Sequence, residues 1–473
     1  MEINVLLKKS VAGIILPFLL IAESVSQDIS VLSLDKAVEI ALQNNRLLNI
    51  KKLQVNEKEQ KVTESRIKYL PVVGLGGSYQ YNTSLPSISI EKGRFGQLPL
   101  GGMIIPLPAI DEIIEVGSHN VYNAGVSLYQ PVSQLGKINA GVRITETELE
   151  IAKNEYDKAA LQIRQGVEKL YFGLLISEKK IEEAELKLLL AETRLADAEI
   201  AVKAGKATES GMFGLSAAAA DEEQNLLKLQ IEHEDLTAGL LHLTGLNPDT
   251  RLTLLPPEED YLLADPFPAG SSAIPDIENN KDLKNAGLTR LMADYAIKAA
   301  KFSYLPDIGL LGGYTYQEGT DIYPRNNAFI GASVQWNLQD VLTNRTVQRQ
   351  RSLSRLQAEE NLINTREQVN RDIAAAMRRI RQAEELIKVA AKVCDYRSAD
   401  LRIHTDKRRS GLNLEADLLS ARAAMARAEA DLFAARMNHR IALTELEILT
   451  GNYREQAAHL PAGHSRMAPA VQP

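Results

Sequence analysis

The chain has 473 residues, a formal net charge of −7 and a single cysteine. A charge this mild argues against a nucleic-acid-binding protein. One cysteine, Cys394, cannot form an intramolecular disulfide, so the fold must be stabilised by packing or assembly.

Residues 1–26 are predicted to form a secretory signal peptide. Lys8 and Lys9 precede an apolar run over 11–22, and small residues follow it. The run is about a dozen residues long, whereas a membrane-spanning helix needs roughly 20. We expect cleavage after Ser26, with Ser24 as the alternative, and therefore an exported protein. No later apolar run is long enough for a helix to span a membrane.

A tandem duplication organises the rest of the chain. Tyr69-Leu70-Pro71 recurs 235 residues later, and Leu243-Thr244-Gly245 recurs 206 residues later. The difference between these two offsets means that the first copy has about 29 additional residues, between Asn82 and Asn120. This stretch is rich in proline and glycine and is predicted to be a surface loop outside the cell. We assign 27–246 to the first repeat and 277–451 to the second.

Each repeat contains a long heptad pattern. In the first, apolar or small residues alternate at spacings of three and four from Leu149 to Val202, which predicts a helix of about 54 residues and about 80 Å. The second repeat has the same pattern from Val369 to Cys394. Cys394 is therefore predicted to be a small core residue and not a reactive thiol.

Shorter helices are predicted to flank the long ones. Their predicted ranges are 34–69, 209–244, 277–304 and 414–450. A proline-rich connector, 247–276, is predicted to lack any long regular element, and the tail, 452–473, is predicted to be flexible.

Four segments alternate with a period of two and lie in two predicted hairpins, 72–131 and 306–338. Each is about ten residues long, the length of a tilted membrane strand. Apolar residues share one face, and glycine and polar residues share the other. The aromatic residues near the strand ends are predicted to lie at the membrane interface. They are Tyr79, Tyr81, Tyr122, Tyr314, Tyr316 and Trp336.

The hairpins are interpreted as parts of a membrane barrel. One alternating segment alone would favour a soluble sheet, but the long helices place these hairpins far from any soluble core. Four strands cannot close a barrel, and an open edge in lipid leaves backbone groups unsatisfied at a cost of several kcal/mol each. Several chains are therefore expected to share one barrel.

In the order of its motifs the sequence resembles the TolC family of outer-membrane efflux proteins. The motifs are Leu34-Asp35-Lys36-Ala37-Val38, the two Tyr-Leu-Pro segments before the strands, Tyr129-Gln130-Pro131 and Arg408-Arg409-Ser410-Gly411-Leu412. The resemblance implies a mainly α protein with membrane β strands. It would form a trimeric 12-stranded β-barrel with four strands per chain, continued by a long α-helical periplasmic barrel. The number three comes from the resemblance, whereas the patterns require only assembly.

The resemblance also implies the function. The protein would be the outer-membrane exit duct of a tripartite efflux pump, which passively conducts substrates to the exterior. Its expected partners are its own copies in a homotrimer, a periplasmic membrane-fusion adaptor, an inner-membrane pump of the RND, ABC or MFS type, and outer-membrane lipid. Two alternatives are a periplasmic coiled-coil scaffold or adaptor without a pore, and the outer-membrane component of a protein secretion system.

Two helix turns are candidate docking sites for the adaptor, Ala204-Gly205-Lys206 and Ser410-Gly411-Leu412. Glycine lets the chain reverse without a Cβ clash and brings backbone close to a partner. A simple helix C-cap is the alternative interpretation.

A periplasmic gate is predicted beside the second turn. Asp417 matches the acidic position that faces the narrowed pore in the family, whereas the second acidic position of the family falls on Ser420. Glu415 and its repeat counterpart Glu209 could add negative charge. Arg408 and Arg409 are candidates to pair with these carboxylates and hold the tip closed. The alternative is that all of them are solvated surface charges.

The sequence shows no pattern typical of an enzyme. The histidines lack the HExxH spacing of zinc hydrolases, and no GxSxG motif follows a predicted strand. Gly74-Leu75-Gly76 lies in a predicted strand that no helix follows, so it does not indicate a dinucleotide site. The basic segment 345–381 is interleaved with acidic residues, as a solvated helix face would be. We expect no catalytic residues, metal, cofactor or nucleic acid.

Overall fold

The computed structural model describes residues 30–257, 277–320, 324–411 and 415–451. The predicted signal peptide, the predicted tail, Leu412 and 258–276 of the predicted connector lie outside the described residues. The helices are α1 Leu34–Asn44, α2 Arg46–Ile67, α3 Leu135–Lys203, α4 Glu209–Thr244, α5 Lys281–Phe302, α6 Leu338–Arg409 and α7 Glu415–Thr450. The strands are β1 Ser30–Leu32, β2 Val72–Tyr81, β3 Ser87–Ile90, β4 Gln97–Leu100, β5 Met103–Pro106, β6 Glu112–Glu115, β7 Asn120–Pro131, β8 Leu252–Leu254, β9 Asp307–Glu318 and β10 Asn326–Gln335.

The two long helices predicted from the heptad patterns are confirmed, and both are longer than predicted. α3 has 69 residues and α6 has 72. At about 1.5 Å per residue, each is on the order of 100 Å long. The predicted seams are buried in their middle, for example at Val167 and Leu174 of α3 and at Ile373 and Ala376 of α6, and half-buried towards the tips.

The first turns of α3 extend the helix beyond its predicted start at Leu149. α2 packs along these turns and forms ion pairs with them, from Arg66 to Glu146 at 2.7 Å and from Lys61 to Glu148 at 2.9 Å. A neighbouring helix therefore stabilises turns in which the heptad pattern is weak.

A break at Asn45 divides the single helix predicted over 34–69 into α1 and α2. The Asn45 side chain accepts hydrogen bonds from the backbone N–H groups of Leu47 and Leu48, at 2.9 and 3.2 Å, and so caps α2. Its amide nitrogen donates to the carbonyl of Leu243, at 3.1 Å, near the end of α4. One side chain thus starts α2 and ties it to α4.

Asn280 repeats this arrangement 235 residues later. It accepts from the backbone N–H of Leu283 at 3.0 Å, at the start of α5, and donates to the carbonyl of Leu449 at 2.8 Å. Gly245 and Gly451 follow α4 and α7 with φ of 70° and 68°, a left-handed conformation that glycine adopts without a Cβ clash. The duplication seen in the sequence therefore extends to the joints between helices.

The largest buried side chains lie on α3, beside a small parallel sheet of β1 and β8. Tyr171 is fully buried, and its hydroxyl lies 2.9 Å from the carbonyl oxygen of Leu32 and 2.5 Å from that of Leu255. This hydrogen bonding ties the start of the predicted connector to the longest helix of the first repeat. In its described part, 247–257, the connector contains one strand of three residues, β8.

The predicted loop between Asn82 and Asn120 contains regular structure. β3 pairs with β6, and β4 pairs with β5. We call residues 82–119 the ribbon, because hydrogen bonds between its two arms continue the β2–β7 ladder outward; the Asn82 N–H, for example, donates to the His119 carbonyl at 2.8 Å. Gly101 and Gly102, with φ of 59° and 88°, form the tight turn at its tip.

Candidate functional site: a strand sheet and two helical tips

One antiparallel sheet, in the order β10–β9–β7–β2, contains all four predicted membrane strands. Its register places the predicted apolar positions on one face, since Leu75 lies opposite Val126, Val126 opposite Tyr314, and Gly312 opposite Ile330. Leu75 is 82% exposed and Ile330 is 92% exposed in the single chain. An apolar face this open indicates that another surface or a lipid phase covers it.

Most residues on the opposite face of the sheet are small or polar, with Tyr129, Leu311 and Phe329 as larger exceptions. Glycine is required there at two positions, because a Cβ on Gly309 would lie 2.3 Å from the Tyr129 ring and one on Gly313 would lie 2.6 Å from the Val126 carbonyl oxygen. The predicted difference between the two faces is therefore confirmed by the pairing of the strands.

Four of the predicted interface aromatics lie towards one end of the sheet, where β2 and β7 continue into the ribbon. Tyr79 and Tyr122 lie directly opposite each other, with ring centroids 5.2 Å apart. Tyr81 and Tyr316 are also exposed towards this end, whereas Tyr314 lies opposite Val126, in the middle of β7.

The fourth strand differs from its prediction. It spans Asn326–Gln335, whereas the predicted hairpin extends to residue 338, so Trp336 follows the strand, at the end of the sheet opposite the tyrosines. The Asn337 side chain accepts from the backbone N–H of Gln339 at 3.1 Å and caps α6, which begins at Leu338. The cap therefore ends the strand three residues before the predicted end of the hairpin.

β2 and β10 are the two edges of the sheet. In the part of the chain that the structure describes, no strand pairs with the outer side of either. All three pairings in the sheet are antiparallel, so the two edge strands run in opposite directions. β10 of one copy can therefore pair antiparallel with β2 of another.

The first two residues of each candidate docking turn have the same backbone conformation, and Leu412 of the second turn lies outside the described residues. Ala204 and Ser410 cap the ends of α3 and α6, and Gly205 and Gly411 follow with φ of 69° and 70°. Lys206 is exposed. Among the described residues, no atom lies within 4 Å of the position that a Cβ would take on either glycine.

The candidate gate residues are only partly brought together. Arg408 lies 2.8 Å from Glu415 across the turn between α6 and α7. Arg409 instead contacts Asp406 of its own helix, at 3.8 Å. Asp417 and Glu209 are exposed, and no ion pair joins either one to another described residue.

A buried charged cluster that the sequence did not predict lies between α3 and α7. Glu168 of α3 is 4% exposed, and its carboxylate accepts from the Thr444 hydroxyl at 3.1 Å. Arg440 lies 3.8 Å from Glu168 and 3.4 Å from Glu447. The spacing of seven between Arg440 and Glu447 shows that they share a helix face, but no sequence signal indicates that Glu168 faces them.

Burial raises the pKa of Glu168 to about 7, against the lowering effects of Arg440 and of the Thr444 hydrogen bond. Glu447 raises the pKa further, and Arg164 lowers it. The carboxyl therefore titrates near neutral pH.

Cys394 is half-buried on α6, and burial raises the pKa of its thiol. Among residues 30–257, 277–320, 324–411 and 415–451, no three His, Cys, Asp or Glu side chains are arranged to hold a metal ion. No helix in that part of the chain has the length and apolarity needed to cross a bilayer.

Comparison with protein families finds a match over residues 37–246 and 276–452 to the family described as outer membrane efflux protein. The match covers both predicted repeats and stops at the connector between them. No curated protein matches the chain.

Solved structures with the same fold include VceC from Vibrio cholerae, with a TM-score of 0.65 and 17% identity over 88% of this chain and 96% of that one. The CmeC outer membrane channel of Campylobacter jejuni has a TM-score of 0.67 and 15% identity over 88% of this chain and 85% of that one. The MtrE outer membrane channel of Neisseria gonorrhoeae, in its open state, has a TM-score of 0.62 and 17% identity over 88% of both chains. At these identities the likeness shows a common fold.

Proposed function

Since the chain belongs to the family of outer membrane efflux proteins, we propose that it acts as a homotrimeric exit duct whose two helical tips dock a periplasmic adaptor. Proteins of this family are passive channels of the outer membrane with a periplasmic helical extension, and not enzymes. The proposal concerns the assembly, the docking site and the gate of this particular chain.

The main support for the proposal is the four-stranded sheet, which has one apolar face and one face of mostly small and polar residues. Its edge strands, β2 and β10, run in opposite directions, and no other described strand pairs with their outer sides. Pairing β10 of one copy with β2 of the next satisfies both edges, and three copies supply twelve strands. The apolar face then meets lipid and the small face lines the lumen, as in other membrane barrels. A scaffold or adaptor without a pore would need no such sheet.

The helices support docking at the tips. α3 follows β7 and α6 follows β10, so both tips lie on the order of 100 Å away from the sheet. The two helical hairpins lie side by side near those tips, where Leu190, Leu215, Val393 and Ala423 line one cavity of about 480 Å³. An adaptor can therefore contact both glycine turns of one chain.

The ion pair between Arg408 and Glu415 supports the gate. It joins the end of α6 to the start of α7. Asp417 lies two residues further on, exposed, where copies from three chains would form an acidic ring. We infer that the ion pair of Arg408 with Glu415 holds the gate closed. Arg409 pairs with Asp406 within α6 and has no role in the gate.

The experiment compares Gly411→Trp with Gly411→Ala, in a strain whose efflux depends on this protein. Both substitutions place a Cβ on a residue with φ of 70°, at a cost of about 1–2 kcal/mol, but only tryptophan adds bulk to the docking surface. We expect Gly411→Trp to abolish efflux and Gly411→Ala to retain it, with both proteins present in the outer membrane as oligomers on unheated gels.

Normal efflux by Gly411→Trp would exclude docking at this tip. An unmodified protein that is soluble and monomeric without detergent would exclude the duct itself.

A further inference from the structure

The ribbon exposes large apolar side chains on both of its faces. Ile88 and Ile114 share one face of the β3–β6 ladder, and Ile113 is on the other. Leu98 and Ile105 share one face of the β4–β5 ladder. Each side chain of the whole set is at least 40% exposed: Ile88, Phe95, Leu98, Leu100, Met103, Ile104, Ile105, Leu107, Ile110, Ile113 and Ile114.

A two-stranded ribbon with this surface needs a partner. Isolated two-stranded hairpins are marginally stable in water, and a continuous exposed apolar patch indicates an interaction surface. The second repeat has only 319–325 between its strands, so each chain contributes a single ribbon.

The position of the ribbon argues against lipid tails as its partner. The ribbon begins at Asn82, immediately beyond the tyrosines at the end of the sheet, which are the residue type that marks the membrane interface. Its base is held against that end, since the Ser118 N–H donates to the Gly319 carbonyl at 2.8 Å and the His119 ring stacks on Tyr81 with centroids 5.8 Å apart. The apolar side chains therefore lie beyond the hydrocarbon layer.

The ribbon is long enough to meet its own copies. Twelve strands spaced about 4.8 Å apart and tilted by about 40° form a barrel with a radius of about 12 Å. The ladders β3–β6 and β4–β5 follow one another along the ribbon, and each four-residue ladder is about 13 Å long. The ribbon also starts from β2, the edge strand that adjoins the next copy in the proposed trimer.

The charge pattern allows the tips to come together. Residues 95–110 contain no charged side chain, and the charges of the ribbon lie closer to its base, at Glu91, Lys92, Arg94, Asp111, Glu112 and Glu115. Three uncharged apolar tips can meet at a symmetry axis without like-charge repulsion.

We propose that the ribbons of the three copies pack against one another over the outer mouth of the channel and form an apolar lid. The occupant of each ribbon surface is the ribbon of another copy of this chain. The lid rests on the proposed trimer, and it closes the end of the duct opposite the proposed gate.

Disulfide crosslinking tests the contact between tips. In a Cys394→Ala background, Met103→Cys places one thiol at each ribbon tip, and Ser84→Cys places one at each ribbon base as the matched control. Two cysteines bridge when their Cα atoms lie within about 7 Å, and only one pair can form among three tips, so we expect about two-thirds of the Met103→Cys chains to become dimers under oxidant. The Ser84→Cys chains should stay monomeric on the same gel.

Access from outside tests the lid. Asn123→Cys lies on the small face of β7, and we expect it to be protected from a bulky maleimide added to intact cells. Replacing 83–118 with the residues 319–325 of the other hairpin should abolish that protection. Arg325→Cys, in the connection between β9 and β10, should react in the chain with the ribbon and in the chain without it. Its labelling shows that the reagent reaches this end of the protein.

Two results together would overturn the lid: absence of Met103→Cys dimers, and equal labelling of Asn123→Cys with and without the ribbon, in samples that still migrate as oligomers before heating. Loss of the oligomer in the unmodified chain would instead contradict the proposed trimer.

Discussion

Glu168 is the described carboxylate whose surroundings differ most from water. It lies between α3 and α7, 3.8 Å from Arg440 and 3.1 Å from the Thr444 hydroxyl. Desolvation of the charged form exceeds the attraction of an arginine at this distance, so the pKa of the carboxyl rises to about 7 from 4.5. A buried carboxyl of this kind makes the stability of the helical body depend on pH.

The direction of that dependence follows from proton binding. Between pH 4.5 and about 7 the folded chain holds a proton on Glu168 that the unfolded chain does not hold. The resulting stability is fully present below pH 4.5 and is lost as the pH rises through about 7. At about 1.4 kcal/mol per pKa unit, the effect is on the order of 3 kcal/mol.

We predict that Glu168→Gln removes this pH dependence. Glutamine keeps the shape and can retain the contact with Thr444, but it does not titrate. Thermal unfolding in detergent, followed by helical circular dichroism between pH 5 and 8, should show a flatter profile than the unmodified protein. The control is Glu385→Gln, because Glu385 is exposed and its hydrogen bond from Lys388 lowers the pKa of its carboxyl, away from this window. A profile unchanged by Glu168→Gln would contradict the assignment.

At the scale of elements, the turn between α6 and α7 has two arginines in different roles. Arg408 reaches across to Glu415 at 2.8 Å, whereas Arg409 contacts Asp406 on the same helix at 3.8 Å. Both side chains are exposed, so each pair is worth about 1 kcal/mol or less in one chain. Three symmetric copies of the Arg408 pair would act together in the proposed trimer, and the pair joins two elements whose separation would set the width of the proposed gate.

We predict that Arg408→Ala raises the resting single-channel conductance and that Arg409→Ala does not. The second variant removes the same charge one residue away but leaves the contact between α6 and α7 intact. Recordings in planar bilayers at low and high salt measure the effect, which should shrink at high salt, where the ion pair is screened. Equal conductance in the two variants would remove Arg408 from the gate.

At the scale of the whole molecule, the two faces of the sheet have different surroundings in the assembled channel. Leu75 and Gly76 are neighbours on β2 that point to opposite faces. Leu75 is 82% exposed on the apolar face, and nothing lies within 4 Å of the position of a Cβ on Gly76. The pair therefore allows the same charge to be placed at the same depth on either face.

We predict that Leu75→Arg destabilises the trimer by about 2–4 kcal/mol, the cost of arginine facing lipid near the middle of a membrane. Gly76→Arg should leave the trimer intact and shift ion selectivity towards anions, because its charge faces the lumen. Heat-induced dissociation on gels measures the first effect, and reversal potentials measure the second. If the two substitutions exchanged their effects, the lipid and lumen faces would be the reverse of those proposed.

The order of apolar, polar and glycine residues along the chain determined much of the secondary structure of this protein. The period of two predicted hairpins that begin at residues 72 and 306, within one residue of the starts of β2 and β9, because a half-buried strand needs alternating polarity wherever the rest of the chain lies. Heptad spacing predicted the long helices, because a half-buried helix likewise needs apolar residues on one face wherever the rest of the chain lies. Glycine predicted the turns at Gly205 and Gly411, because few other residues adopt positive φ.

Tertiary structure decided the features that depend on residues distant in sequence. Periodicity describes one segment at a time, so it carries no information on whether Glu168 meets Arg440, or on whether Arg408 and not Arg409 reaches Glu415. The cap at Asn45 could be suspected locally, but its bond to the Leu243 carbonyl, 198 residues away, exists only after α2 and α4 have packed together. The ladders of the ribbon likewise arise from pairing between its two arms, which proline and glycine content alone does not reveal.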